Sequence, residues 1–161
     1  MMQWVGVPEP EGWDDPITGL EGPDFWRRVL VAEVARAAKY DRQLAVVIIE
    51  LQGVGELAEE LGDPVARHFV HEAGQVLRRA SRSSDYCTRI GIGRFGVVLT
   101  ETDEISAINF VERVRAEAPR AMPKGGPVMR FSFGWASPLP GDSADQVVRR
   151  ADLRLLAELR S

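Results

Sequence analysis

The stretch that most limits how this chain can fold is residues 82–99, RSSDYCTRIGIGRFGVVL. Residues 86–90 alternate as a half-buried strand does. Residues 95–99 form a compact β-branched and aromatic run. Gly91, Ile92, Gly93 and Arg94 lie between them. Two glycines at a strand–strand junction supply the positive φ that a tight hairpin needs. A β-hairpin is therefore expected, with the end of a helix just before it.

The flanking segments supply layers for such a hairpin. Residues 44–51 (LAVVIIEL) are a short, continuous, β-branched run, the pattern of a buried central strand. Helices are expected over 25–40, with Asp24 as cap and Trp26, Val29, Leu30, Val34 and Ala37 on one face, and over 63–81. The second opens on Asp63 as cap with Pro64 at its first position, and turns Val65, Phe69, Val70, Ala73, Val76 and Leu77 inward. Beyond the hairpin, a helix is expected over 103–118, with Ile105, Ile108, Phe110, Val111 and Val114 apolar. A strand over 129–136 and a helix over 143–159 follow. Residues 1–14 carry Trp4, Trp13, Pro8 and Pro10 and read as an extended arm. Its tryptophans would dock on the chain's own surface or on a partner.

Composition narrows the function classes. A net charge of −4 from 24 acids and 20 bases argues against wrapping a nucleic-acid backbone, which needs a basic face. The single cysteine, Cys87, permits no disulfide framework and points to a reducing compartment. No apolar run approaches the roughly 20 residues of a membrane span. No basic-then-apolar signal segment opens the sequence. A cytoplasmic location without a membrane partner is the expectation. His68 and His71 share one helix face at a spacing that metal ligands use, but no third ligand follows, so they read as surface histidines.

Several motifs then fall into one order. Asp15-Pro16-Ile17-Thr18-Gly19-Leu20 forms a turn before the first helix. Arg82-Ser83-Ser84-Asp85 stands five residues before Gly91-Ile92-Gly93-Arg94-Phe95. Ser132-Phe133-Gly134-Trp135-Ala136 and Ala151-Asp152 close the series. Together these resemble the diguanylate cyclase (GGDEF) domain, over residues 15–159. The resemblance implies an α/β fold, a nucleotidyl cyclase-like three-layer sandwich. Its core would be a central mixed, largely antiparallel sheet of about five strands flanked by helices. It also implies two parts, the arm at 1–14 and a GGDEF domain at 15–161, in a bacterial signalling context.

The departures from the family pattern shape the functional expectation. The family's turn reads Gly-Gly-(Asp or Glu)-Glu-Phe, whereas here Gly93 and Arg94 replace the acids. Glu50 stands where the family's strand carries a metal-binding Asp, and it also reads as a strand-end acid facing solvent. Ala58 and Arg67 fall where the family reads guanine, and Leu156 and Leu159 fall where it has Tyr and a phosphate-contacting Lys. The expectation from these residues is a degenerate domain that is not an enzyme, with no catalytic residues, metal or cofactor.

What the resemblance retains is a product-binding frame. Arg82, Asp85 and Arg113 match the family's inhibitory Arg-X-X-Asp site and its further arginine, implying cyclic di-GMP as ligand and a receptor or regulatory role. Arginine forks onto guanine's O6 and N7 edge, and aspartate accepts from its N1 and N2 donors. An ordinary reading stands beside this one: arginines at a helix end against the dipole, an Asp opening a strand, and a solvated Arg113. The alternative function is a ligand-free interaction module, with a protein partner or homodimer on an apolar face of Ile92, Val54 and Leu57.

Overall fold

The apolar run at 44–51 is strand β1 (Leu44–Leu51), and the rest of the computed structural model, which describes residues 6–160, is arranged around it. The elements follow in the order α1 (Pro23–Tyr40), β1, α2 (Val54–Leu61), α3 (Asp63–Ala80), β2 (Tyr86–Gly91), β3 (Arg94–Thr100), α4 (Glu104–Glu117), a 3-10 turn (Ala118–Arg120), β4 (Phe131–Ala136) and α5 (Ala144–Arg160). The sheet order is β2-β3-β1-β4. All three pairings are antiparallel, with Ile48 opposite Gly96 on one side and Gly134 on the other.

Alternation along β1 builds the two outer layers. Ala45, Val47, Ile49 and Leu51 face a core formed with α2, α3 and α4, where Phe69, Phe95, Phe110 and Phe133 are buried. Leu44, Val46 and Ile48 face a second core with α1 and α5, which supply Trp26, Leu30, Val147, Ala151 and Leu155. A strand covered on both faces reads as continuously apolar, which is why 44–51 shows no polar alternation. The three-layer α/β sandwich expected from the sequence is the architecture observed.

Four strands are present among the described residues, not about five, and the sheet is antiparallel rather than mixed. Among the described residues the one parallel contact is an isolated bridge between Glu21 and Thr88. Beyond β4 the place of a further strand is taken by side chains. Glu158 of α5 accepts a hydrogen bond from the Phe133 N–H and from Arg115 of α4, and Arg115 lies over the Phe133 ring. Side chains that meet an edge strand's outward backbone protect it against further pairing.

Local readings shift in four places. Asp63 does not cap α3: Gly62 is the cap, without a side-chain hydrogen bond, and Asp63 is the first helical residue. Asp24 does not cap α1: Gly22 is the cap, Pro23 takes the first turn, and Asp24 pairs with Arg27. Proline at that position needs no N–H partner and fixes the helical φ. Neither Gly91 nor Gly93 has positive φ. The glycine at 93 answers a close approach instead, since a Cβ there would lie 3.1 Å from the Leu51 carbonyl oxygen. On α4 the inward face is Ala107, Phe110, Val111 and Val114, which leaves Ile105 and Ile108 exposed.

In the arm, Val7 is buried and Trp13 rests edge-on against Phe25, with centroids 5.2 Å apart. Trp4 lies outside the described residues. Among those described, no helix is long and apolar enough to cross a membrane.

Candidate functional site

The hairpin presents two charged clusters, one at its turn and one at its opposite end. At the turn, Ile92 and Gly93 join β2 to β3, and the Gly93 carbonyl accepts from the Leu51 N–H at 2.7 Å. That bond holds the turn against the end of β1, where Glu50 lies opposite Arg94 in register. Arg94 Nη1 lies 3.4 Å from Glu50 Oε2, and its Nη2 pairs with Asp152 of α5. Desolvation raises the Glu50 carboxyl above its usual range, and Arg94 opposes that rise. Glu50 is thus not a strand-end acid free in solvent: it is half of a carboxylate pair bridged by one guanidinium.

This donor set does not fit a divalent cation, because Arg94 occupies the space between the two carboxylates and Gly93 brings no side-chain oxygen. Among the described residues no group of three or more His, Cys, Asp and Glu is gathered closely enough for a metal. His68 lies 3.9 Å from Glu72, and His71 Nδ1 is 2.7 Å from the Ile17 carbonyl oxygen. At the turn Val54 is buried, and Leu57 and Ile92 are partly buried against the core. Ala58 is also buried, and Arg67 is exposed. Leu156 and Leu159 are exposed on α5.

Behind the turn lies a pair that sequence reasoning missed. Arg89 of β2 is fully buried, its Nη1 3.0 Å from Asp15 Oδ1. Its Nη2 and Nε reach the Ile92 carbonyl, at 3.0 and 3.2 Å, and Nη2 also reaches the Pro8 carbonyl at 2.6 Å. Desolvation lowers the Arg89 pKa, and Asp15 counters it. A buried charge persists only when paired and hydrogen-bonded, and this guanidinium is both. The available signal was an arginine inside an apolar strand run, with an unassigned aspartate in the opening turn.

At the far end, α3 runs out into Arg82 and the strand begins after Asp85. The Asp85 carboxylate accepts from the Arg82 N–H at 2.8 Å, the Thr100 N–H at 3.2 Å, and Arg82 Nη2 and Nε at 3.0 and 3.3 Å. Arg82 Nη2 also reaches the Thr100 carbonyl at 2.6 Å and Thr102 Oγ1 at 2.7 Å. Hydrogen bonding to Asp85 raises the Arg82 pKa further. The two side chains differ in access, at 54% exposed for Arg82 and 2% for Asp85. Asp85 is therefore committed to holding Arg82, and the guanidinium is what solvent meets.

Arg113 of α4 completes this end. It is exposed, donates to the Ala80 carbonyl at 3.1 Å and lies over the Phe110 ring. Arg82, Asp85 and Arg113 share one cleft of about 170 Å³ with Glu101, Thr102 and Asn109. A second cavity of about 380 Å³, lined by Phe25, Arg78 and Tyr86, adjoins it across Arg82 and Asp85. The structure thus brings together the three residues singled out in the sequence. Thr102 and Asn109 carry no motif and were not foreseen. The arrangement can offer two guanidinium groups to an anionic or purine-edge ligand.

Comparison with known proteins places these clusters in context. The family model described as diguanylate cyclase, GGDEF domain, matches residues 13–160. The diguanylate cyclase DosC of Escherichia coli strain K12 is 28% identical over 106 residues, which are 66% of this chain and 23% of that protein. The chain thus spans about a quarter of such curated relatives. Among solved structures, the GGDEF domain of DgcB from Caulobacter crescentus in complex with c-di-GMP superposes with a TM-score of 0.87 at 18% identity, covering 93% of this chain and 91% of that one. The diguanylate cyclase SiaD of Pseudomonas aeruginosa, in complex with its activator SiaC, gives a TM-score of 0.85 at 24% identity, covering 91% and 58%. These superpositions show the fold. The names of the curated relatives overturn one expectation, that a chain with this turn is not an enzyme: those proteins are diguanylate cyclases.

Proposed function

The chain belongs to the diguanylate cyclase GGDEF-domain family, and we propose that within it this domain is a cyclic di-GMP-binding regulatory module acting through Arg82, Asp85 and Arg113. The observation that carries this reading is the Arg82 guanidinium, fixed by Asp85, Thr100 and Thr102 yet half exposed beside Arg113. A pre-oriented fork loses little rotamer freedom when it meets a phosphate or a guanine edge. In this reading Arg82 and Arg113 touch the ligand, and Asp85 is a positioning residue whose carboxylate stays with Arg82. The small cleft takes a base edge or a phosphate, and the adjoining cavity beside Phe25 and Tyr86 takes the rest of a larger ligand.

The signature turn, with Gly93 and Arg94 in place of acids, is in this reading the altered part of the domain. Its cluster is closed upon itself, so the ligand-facing chemistry lies at the other end of the hairpin. Support for the ligand comes from the similar GGDEF domain of DgcB, whose crystal structure is in complex with c-di-GMP.

Calorimetric titration of cyclic di-GMP into the chain and into Arg82→Ala and Arg113→Ala tests the reading. Binding that weakens at least tenfold in each variant supports it. Equal binding in all three, or no binding to a folded wild-type chain, contradicts it. GTP turnover measured on the same samples reports separately on the turn.

A further inference from the structure

A cavity of about 770 Å³ lies beyond Thr102 from the Arg82 cleft, between the start of α4, the end of β4 and the outer face of α5. Its walls carry three arginines, Arg42, Arg150 and Arg154, with Trp135, Leu139 and Leu153 as the apolar part. Two acids also line it: Asp103 caps α4 through the Ser106 N–H, and Glu104 pairs with Arg154 at 3.3 Å.

The arginines are anchored but not used up. Arg150 donates through Nη2 alone, to the Ser137 carbonyl at 2.8 Å and to Asp142 at 2.5 Å. Arg154 meets Glu104 through Nη1, and Arg42 meets Glu101 through Nη1 at 3.4 Å. Each guanidinium carries five N–H donors, so most of the set has no protein partner among the described residues. Arg154 also lies over the Trp135 ring, 5.1 Å from its centroid, and is half exposed. The Trp135 indole Nε1 is buried without an acceptor, the only such side-chain atom among the described residues.

From this arrangement we propose a second ligand site, taking a mononucleotide: a phosphate held by Arg42 and Arg150, with a planar base laid on the outer face of Arg154. The guanidinium then sits between Trp135 and the base, a stack that every base can join because each has a π-face. The volume exceeds what a bare phosphate fills, and Leu139 and Leu153 give the ligand's apolar edge a wall. Thr102 lines both this groove and the Arg82 cleft and accepts from Arg82. The two sites are therefore separate neighbours.

The test uses AMP as probe and inorganic phosphate as comparison, in an Arg82→Ala background that removes the neighbouring site from the readout. Amide and indole NMR spectra follow the titration, with the Trp135 indole signal assigned through Trp135→Phe. AMP should shift the Trp135 indole resonance, and Arg150→Gln should weaken binding about tenfold. Arg42→Gln, on an exposed side chain remote from the core, should do the same if Arg150→Gln compromises folding. Phosphate should bind at least tenfold more weakly than AMP. An unmoved indole, binding indifferent to the arginine variants, or phosphate binding as tightly as AMP would each overturn the proposal.

Discussion

Arg89 and Arg82 make the same ion pair, arginine to aspartate at 3.0 Å, at opposite ends of one hairpin strand. Arg89 and Asp15 are sealed, at 0% and 1% exposure, whereas Arg82 is 54% exposed over a sealed Asp85. The first pair turns all three of its guanidinium nitrogens to protein acceptors and ties the opening turn, the arm and the signature turn into one piece. The second uses its aspartate as a mount and leaves the cation on display. Pairing alone therefore says nothing about role: the accessible surface of the guanidinium separates a lock from a recognition group.

The harshest way to break the comparison is Arg89→Ala. It leaves Asp15 buried and unpaired, and should cost about 3–5 kcal/mol in a urea unfolding curve. Arg82→Ala should cost on the order of 1 kcal/mol in the same experiment, because the Arg82 guanidinium is half solvated and the sealed Asp85 keeps its bonds from the backbone N–H groups of residue 82 and Thr100. In exchange it should weaken cyclic di-GMP binding by about ten- to a hundredfold, the loss of charge-assisted hydrogen bonds. If the two variants destabilise equally, the contrast drawn here fails.

Smaller changes sharpen it. Asp85→Asn keeps an acceptor for the Thr100 N–H but loosens the mount, so binding should weaken about fivefold with little effect on unfolding. Arg94→Ala should leave cyclic di-GMP affinity within about twofold of wild type, since the turn lies at the other end of β2. It should also push the Glu50 carboxyl further up, because Arg94 opposes its desolvation. A carboxyl raised in the folded state is favoured there in its protonated form. Stability from Glu50 is thus greatest below its unfolded pKa and is lost as pH rises through the folded one. In the variant that loss should extend to higher pH, readable by carboxyl-carbon NMR and unfolding across pH. The smallest effect belongs to Asp103→Ala. Its carboxyl is held low by the Ser106 hydrogen bonds, so the capping contribution is present above the unfolded pKa and fades as pH falls through the folded one. Thermal midpoints of variant and wild type should converge in acid.

Much of this was legible in the sequence, for local reasons. The strand at 44–51, the hairpin and the order of helices follow from periodicity and turn residues, and β1 matches its expected bounds. The frame of Arg82, Asp85 and Arg113 was legible because a resemblance fixes spacing, and the fold brings the three to one cleft. What was hidden depends on partners distant in sequence. Arg89 and Asp15 are 74 residues apart, so nothing local marks them as a pair. Arg94 read as an intruding charge, but its two carboxylates come from β1 and α5. The resemblance implied about five strands, and only the contacts of Arg115 and Glu158 reveal why none of the described residues pairs beyond β4.

The most direct test of the central claim is arginine side-chain NMR, following the Nε resonances as cyclic di-GMP is added. Arg82 and Arg113 should shift and saturate together while Arg89 and Arg94 stay still. Shifts confined to Arg94, or no shift at Arg82 at saturating ligand, would contradict it and move the binding site to the signature turn or off this domain.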